Sequence, residues 1–325
     1  MNNQKTYEQL KELLTKVDDL SSSLGSVVEA LREQIQDKPS SNTNAKAGPK
    51  AKPKNAYANS LSDKDLPPVD LTKMDELLST WPKAVDESLI LDQSDDEALK
   101  YRSLQILSIL PINVKGLKVL DLGCGTGHTA MELSYQAEKV VAYDVDPKHY
   151  MLTEVATDNF SYAKSMDEVK QEGPYDFIML YDVLDHAQGD PLELLKNSKE
   201  LLNNDGTIFL RAHPWVSNTG GHLYETQNYG YLHLYLTPNE MSKLGYKIPY
   251  NIKVTRPMAM YEDWFEKAGL KVDSRKIKAQ PFNEFYQDKA ILDRIMQVTW
   301  GGKIKPEQAI KILQNDTIDY VLKHA

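Results

Sequence analysis

From Lys118 onward the chain alternates between short apolar runs and longer amphipathic ones. KVLDL (118–122), KVVAYDV (139–145), YDFIMLYDVL (175–184) and GTIFLRA (206–212) read as buried strands. Between the first two lies TAMELSYQA. Before the last lies PLELLKNSKELL, with Leu192, Leu194, Leu195, Leu201 and Leu202 at helical spacing. Strand–helix–strand alternation predicts parallel strands with helices on both faces, and hence a ligand site at the carboxyl ends of the strands. At the first of those ends stands DLGCGTGH, with Gly123, Gly125 and Gly127 between strand and helix. Glycines there let the backbone turn tightly and let a ligand approach the main chain.

The loop discriminates among nucleotide-like ligands. A dinucleotide fingerprint needs a small residue where bulky His128 stands, and a P-loop needs a terminal lysine that is missing. The pattern is instead D-x-G-x-G-x-G. Asp121 would repel a pyrophosphate but suits a ligand with an ammonium group and no phosphate. S-adenosylmethionine carries that ammonium, with a sulfonium, a ribose and an adenine. Asp144 follows Asp121 by 23 residues, at the end of the second strand. An acid placed there can accept both ribose hydroxyls, a device NAD sites share.

Residues 117–147 resemble motifs I and II of the class I S-adenosylmethionine-dependent methyltransferases, and a weaker resemblance runs from about 97 to 277. YDFIMLYDVLDHA (175–187) is similar to the family's fourth-strand motif, with Asp185 for the usual Glu. LLNNDGTIFLRAH resembles the fifth strand and its preceding turn. YEDWFEKAGLKVDSRKI resembles the last helix and the strand after it. The resemblance implies a Rossmann-like α/β fold with a mostly parallel seven-stranded sheet. It implies Asp121 beside the methionine ammonium, Gly123, Gly125 and Gly127 along the methionine moiety, and Asp144 on the ribose. Ser165 and Met166 would touch adenine, Asp167 falling slightly late for that role. Tyr181 and Asp182 would face the methyl group. Arg102 reads either as a partner of the cofactor carboxylate or as a surface arginine.

The acceptor is narrowed by exclusion. The only thiol, Cys124, lies inside the glycine loop, which rules out cytosine C5 chemistry. No D/N/S-P-P-aromatic segment follows the fourth strand. A net charge of −9 argues against nucleic acid or an anionic membrane as partner. The expected reaction is methyl transfer to an oxygen or nitrogen of a small molecule, glycan or protein. For a hydroxyl acceptor a general base is needed, and His213, His186 and His222, in that order, are the candidates. His233 sits in YGYLHLYL, which reads as an alternating strand. The spacings of His213, His222 and His233 match no compact ligand pattern, so no metal is expected. Aromatics between Trp215 and Tyr235 read either as an acceptor pocket or as the core of a long insertion.

Outside this core, Leu10, Leu13, Val17, Leu20, Leu24, Val27 and Leu31 step by threes and fours, the seam of a coiled coil. Residues 1–37 are expected to form a helix that oligomerises, docks on a partner, or packs on its own domain. Residues 38–67, with five lysines and no acid from Lys38 to Lys54, read as a basic tether. Residues 68–280 would hold the methyltransferase domain. Residues 281–325 would add helices, with Ile310, Leu313, Ile318 and Val321 as their packing stripe. No apolar run approaches the roughly 20 residues of a membrane span, and MNNQKTYEQL lacks a signal-peptide core. A cytoplasmic chain, or one attached to a larger assembly, is expected. The rival to an enzyme is a tethered assembly component with a methyltransferase-like fold.

Overall fold

The structure, a computed structural model, describes residue 66 and residues 69–87, 94–152, 157–186, 190–224, 226–246 and 258–325. The heptad segment and the basic tether, apart from Leu66, lie outside the described residues. Helices α1 (Met74–Ser79) and α2 (Asp96–Ser108) precede the sheet. Then come β1 (Lys118–Leu122), α3 (His128–Ser134), β2 (Lys139–Tyr143), β3 (Phe160–Tyr162), α4 (Met166–Glu172) and β4 (Tyr175–Tyr181). Helix α5 (Pro191–Glu200) leads into β5 (Leu202–Ala212). After it come α6 (Leu232–Tyr235), α7 (Pro238–Lys243) and α8 (Met258–Ala268). The chain closes with β6 (Leu270–Ala279), α9 (Lys289–Trp300), α10 (Pro306–Leu313) and β7 (Asn315–His324).

The seven strands form one sheet in the order β3-β2-β1-β4-β5-β7-β6. Strands β1 to β5 pair in parallel, and β7 lies antiparallel to both β5 and β6. This is the mostly parallel α/β sheet expected from the strand–helix alternation. Burial on both faces explains the unbroken apolar runs. Leu120, Leu122, Ile178, Leu180, Ile208 and Leu210 pack with Leu195 and Phe265 from α5 and α8. Their neighbours Val119, Val140, Phe177, Met179 and Phe209 pack with Ile106, Ala130 and Leu133 from α2 and α3. Each such side chain contributes roughly 1.5–3 kcal/mol through burial. By the same two-residue alternation, Asp121 falls on the α2–α3 face with Val119.

Two expectations are corrected. The last segment is not all helical: its stripe ends at Leu313, and β7 fills the slot between β5 and β6. Ile318, Tyr320 and Leu322 share one face of β7 and are fully buried in the sheet core. Spacing by twos, with a β-branched residue leading, won over the helical stripe drawn through Val321. The strand reading of YGYLHLYL also fails. Leu232–Tyr235 is a helical turn, and His233 is buried with Nε2 2.7 Å from the Trp215 carbonyl.

The aromatic stretch after β5 resolves as the core of an insertion. Tyr231, Leu232, Leu234 and Leu236 pack with Met74, Leu78 and Trp81, and with Ile295, Trp300 and Leu313 from α9 and α10. Trp81 Nε1 donates to the Gly230 carbonyl at 2.7 Å, and Tyr231 Oη donates to the Leu313 carbonyl at 2.6 Å. Beneath it, Arg294 grips both carboxylate oxygens of Glu240 at 2.7 and 2.8 Å.

Candidate active site

The glycine loop uses its freedom at every glycine: φ is +86° at Gly123, +53° at Gly125 and +87° at Gly127. Two of the three are packed in. A Cβ on Gly127 would stand 1.9 Å from Tyr162 Oη, and one on Gly123 would stand 2.4 Å from a Val183 methyl. A Cβ on Gly125 would meet nothing within 4 Å. The loop is tied to the end of β2, where Gly123 N and Cys124 N donate to the Tyr143 carbonyl at 2.7 and 3.1 Å. Gly125 N donates to Asp144 Oδ2 at 3.0 Å.

Beside this loop opens a cavity of about 300 Å³, bounded by α2, the loop and the carboxyl end of β4. That size stands at the lower end of the range for small-molecule sites, ~300–1,000 Å³. Asp121, Gly123, Gly125, Tyr181, Asp182 and His186 line it, as does Arg102. Asp121 is 2% exposed, and among the described residues its Oδ2 has no hydrogen-bond partner. Burial, reinforced by the Asp144 charge, pushes its carboxyl up to about 7. A buried polar atom left without a partner costs ~1–3 kcal/mol.

Gly127 caps α3 rather than lining the cavity. Asp144 stands behind the loop: Oδ1 accepts from Asp146 N at 3.0 Å and faces His149 Nδ1 at 3.3 Å, and Oδ2 accepts from Gly125 N at 3.0 Å. Oδ2 retains a second lone pair beyond its bond to Gly125 N. Val145, next in sequence, is 87% exposed. Ser165 and Met166 lie away from the cavity. The Ser165 side chain accepts from Glu168 N as the cap of α4, and Met166 packs against the sheet core. Arg102 serves both readings open to it, since it lines the cavity, is partly exposed and lies 3.6 Å from Asp182.

Three contributors escaped the sequence reading. His128 is buried between Thr126 Oγ1 at 2.9 Å and Asp96 Oδ1 at 2.7 Å, which ties α3 to α2 beside the cavity. Its bulk is accommodated because that face of α3 meets α2. Arg211 donates to Tyr181 Oη at 2.8 Å and is itself held by both oxygens of Asp319 on β7, at 2.5 and 2.6 Å. The Arg211–Asp319 pair thereby fixes the Tyr181 ring at the cavity wall. No local motif marks these pairs, because 108 residues separate Arg211 from Asp319.

The three candidate histidines come together with Asp182 and Asp185. His213 Nε2 is 3.6 Å from Asp182 Oδ1, and His222 Nε2 is 3.5 Å from Asp185 Oδ2. The His186 and His222 rings meet edge to face at 4.5 Å. His213 N donates to Asp185 Oδ2 at 3.2 Å. Of the three, His186 reaches the cavity; burial lowers its basicity, partly offset by Asp185. Burial pushes the Asp182 carboxyl up, against the pull of His213. Burial alone would raise Asp185 too, but the facing His222 ring and the charges of His213 and His186 hold it below the usual range.

Against known proteins, residues 96–275 match the family described as "Methyltransferase domain". That is more than half of the chain, and the chain belongs to this family. Among curated relatives, a tRNA U34 carboxymethyltransferase of Campylobacter lari is 28% identical over 123 residues, covering 36% of this chain and 42% of its own. A ubiquinone biosynthesis O-methyltransferase of Vibrio campbellii is 26% identical over 149 residues, covering 44% and 61%. The chain spans about half the length of the curated relatives it matches. Among solved structures, magnesium protoporphyrin IX methyltransferase from Synechocystis PCC 6803 with bound SAH aligns with 14% identity over 70% of this chain and 82% of its own, at a TM-score of 0.41. Among the described residues no helix is long and apolar enough to cross a membrane.

Proposed function

We propose that this chain is an S-adenosylmethionine-dependent methyltransferase acting on an oxygen or nitrogen of a small-molecule, glycan or protein acceptor. The observation that carries the reading is the buried, unpartnered Asp121 oxygen facing a cavity walled by the glycine loop. An apo carboxylate in that position lacks a counter-charge, and the ammonium group of the cofactor would supply it.

The residues fit that ligand. Asp121 would hold the ammonium, and the bare Gly125 backbone leaves room for the methionine chain. Asp144, already braced by Gly125 N, would offer the ribose hydroxyls the remaining lone pair of Oδ2, and Oδ1 once the exposed His149 ring swings aside. Val145 offers an uncovered apolar surface next to that acid, suited to a flat base. Arg102 would meet the ligand's carboxylate. When bound, the cofactor supplies a methyl group whose carbon–sulfur bond breaks, with the pair to sulfur, as the acceptor atom bonds the carbon. The protein's task is then alignment and removal of the acceptor's proton. Tyr181 and Asp182 shape the wall nearest the His186–His213–His222 group, where an acceptor would enter.

The test is titration calorimetry with S-adenosylmethionine and its demethylated product. Wild type should bind both, and Asp144→Ala should bind neither measurably. A folded wild-type chain that binds neither ligand would overturn the reading. Labelled S-adenosylmethionine with fractionated host extract would then identify the acceptor by the fraction that gains label.

A further inference from the structure

His213, His222 and His233 are expected to hold no metal because their spacing along the chain fits no ligand pattern. In space the objection disappears. His233 points elsewhere, and the set that assembles is different. One ligand atom each from Asp185, His186 and His222 lies within 4.8 Å of the others, and the same holds for Asp182, Asp185 and His213. These five residues come from the segments after β4 and β5. The His222 side chain is 9% exposed; among the described residues its Nδ1 has no hydrogen-bond partner and its Nε2 has only the 3.5 Å approach to Asp185 Oδ2, and Nδ1 of His213 has no partner either. In a neutral imidazole one nitrogen is a donor and the other an acceptor. Burying one nitrogen without a partner, and the other with only a long approach, is costly for a residue that serves only packing.

We infer that Asp185, His186 and His222 bind a divalent first-row transition cation, with Asp182 and His213 completing or bracing its shell. Mixed imidazole and carboxylate ligands at ~2.0–2.2 Å suit such ions, and ligand atoms around one ion stand roughly 3–4 Å apart. The observed 3.5 and 3.6 Å His–Asp approaches already match that spacing. Small side-chain rotations would bring the remaining atoms in. Asp182 and His186 belong to the cavity wall as well, so the cation would sit where the acceptor enters.

This placement, which rests on the methyltransferase reading, names the acceptor class. A cation at that point would ligate a hydroxyl oxygen of the acceptor and lower its proton affinity. The hydroxyl proton leaves to water, and the oxygen keeps the electron pair for attack. The acceptor is therefore an alcohol or phenol, and the histidines act as cation ligands rather than as the general base.

The experiment uses the full chain, stripped with chelator and titrated with Zn²⁺, Mn²⁺ and Co²⁺ by calorimetry, with Co²⁺ visible absorption as a second readout. SAH binding is measured on the same samples. About one ion per chain is expected. Changes in outer-shell residues cost 10–100-fold in metal affinity, so His222→Ala should weaken the ion by about 100-fold or more. That variant should keep SAH affinity within about twofold, which also certifies its fold. His222→Asp, which restores a ligand, should recover much of the loss. SAH binding without any ion binding would overturn the cation site and leave the methyltransferase reading standing. Ion binding that His222→Ala does not weaken would overturn this ligand set. Loss of both ion and SAH binding in wild type would overturn both.

Discussion

Gly127→Ala should be far more damaging than Gly125→Ala, although both residues belong to one loop and both have positive φ. At Gly127 an added Cβ stands 1.9 Å from Tyr162 Oη and 2.6 Å from its Cζ. Tyr162 cannot move cheaply: its hydroxyl donates to the Thr126 carbonyl at 2.9 Å, and its ring stacks on Tyr150 at 4.1 Å. Left-handed φ costs an alanine about 1–2 kcal/mol, the lost hydrogen bond about 1 kcal/mol and the overpacking about 1–3 kcal/mol. Reduced freedom of the unfolded chain returns about 0.4–1 kcal/mol. The net expectation is a loss of about 2–6 kcal/mol for Gly127→Ala, centred near 4. Gly125→Ala should lose about 1 kcal/mol, because its Cβ meets nothing within 4 Å. Urea unfolding followed by tryptophan fluorescence gives both values, provided the m-value is unchanged. SAH titration separates the roles: Gly125→Ala should stay folded yet bind weakly, since its methyl enters space the ligand needs. Equal destabilisation by the two substitutions, or full SAH affinity in Gly125→Ala, would refute the reasoning.

Further outcomes concern buried charge. SAH binding should release a proton, because Asp121, with its carboxyl pushed up to about 7, must ionise to meet an ammonium. Affinity should rise about tenfold per pH unit below 7 and level off above it, and Asp121→Asn should abolish the slope in calorimetry. His233, whose burial drives its pKa down to about 4, stays neutral in the fold while the unfolded chain protonates near 6.5. Stability should therefore fall as pH drops from 6.5 toward 4, by up to about 3 kcal/mol from this residue, and urea titrations of His233→Asn should show a shallower fall. Arg294→Ala should cost about 3–5 kcal/mol, because it strands Glu240 as a buried charge. Arg294→Met with Glu240→Leu should recover much of that loss in the same unfolding assay.

What could be read ahead of the structure was whatever depends on neighbours in sequence. The parallel strands follow from apolar runs that need two covered faces. The glycine loop and the Asp121–Asp144 pair follow from a backbone that must turn at a strand end. Strand β7 was missed because TIDYVL is too short to separate a helical stripe from a strand without its partners. With it went the Arg211–Asp319 clamp on Tyr181, which exists only once β7 lies beside β5. The histidine–carboxylate cluster was half legible. Its histidines read as bases and Asp182 as a neighbour of the methyl group, but linear spacing hid the ligand set that two adjacent strand ends assemble. The resemblance implies Ser165 and Met166 beside adenine, and no local signal shows that the Ser165 side chain also caps α4.

A crystal structure with SAH bound tests the central claim most directly. The ligand's amino group should lie in the cavity between the glycine loop and α2, within about 3 Å of Asp121 Oδ2 or one water away, with its ribose on Asp144. A ligand bound elsewhere, or an Asp121 carboxylate that stays without a cationic partner while SAH occupies the cavity, would contradict the account.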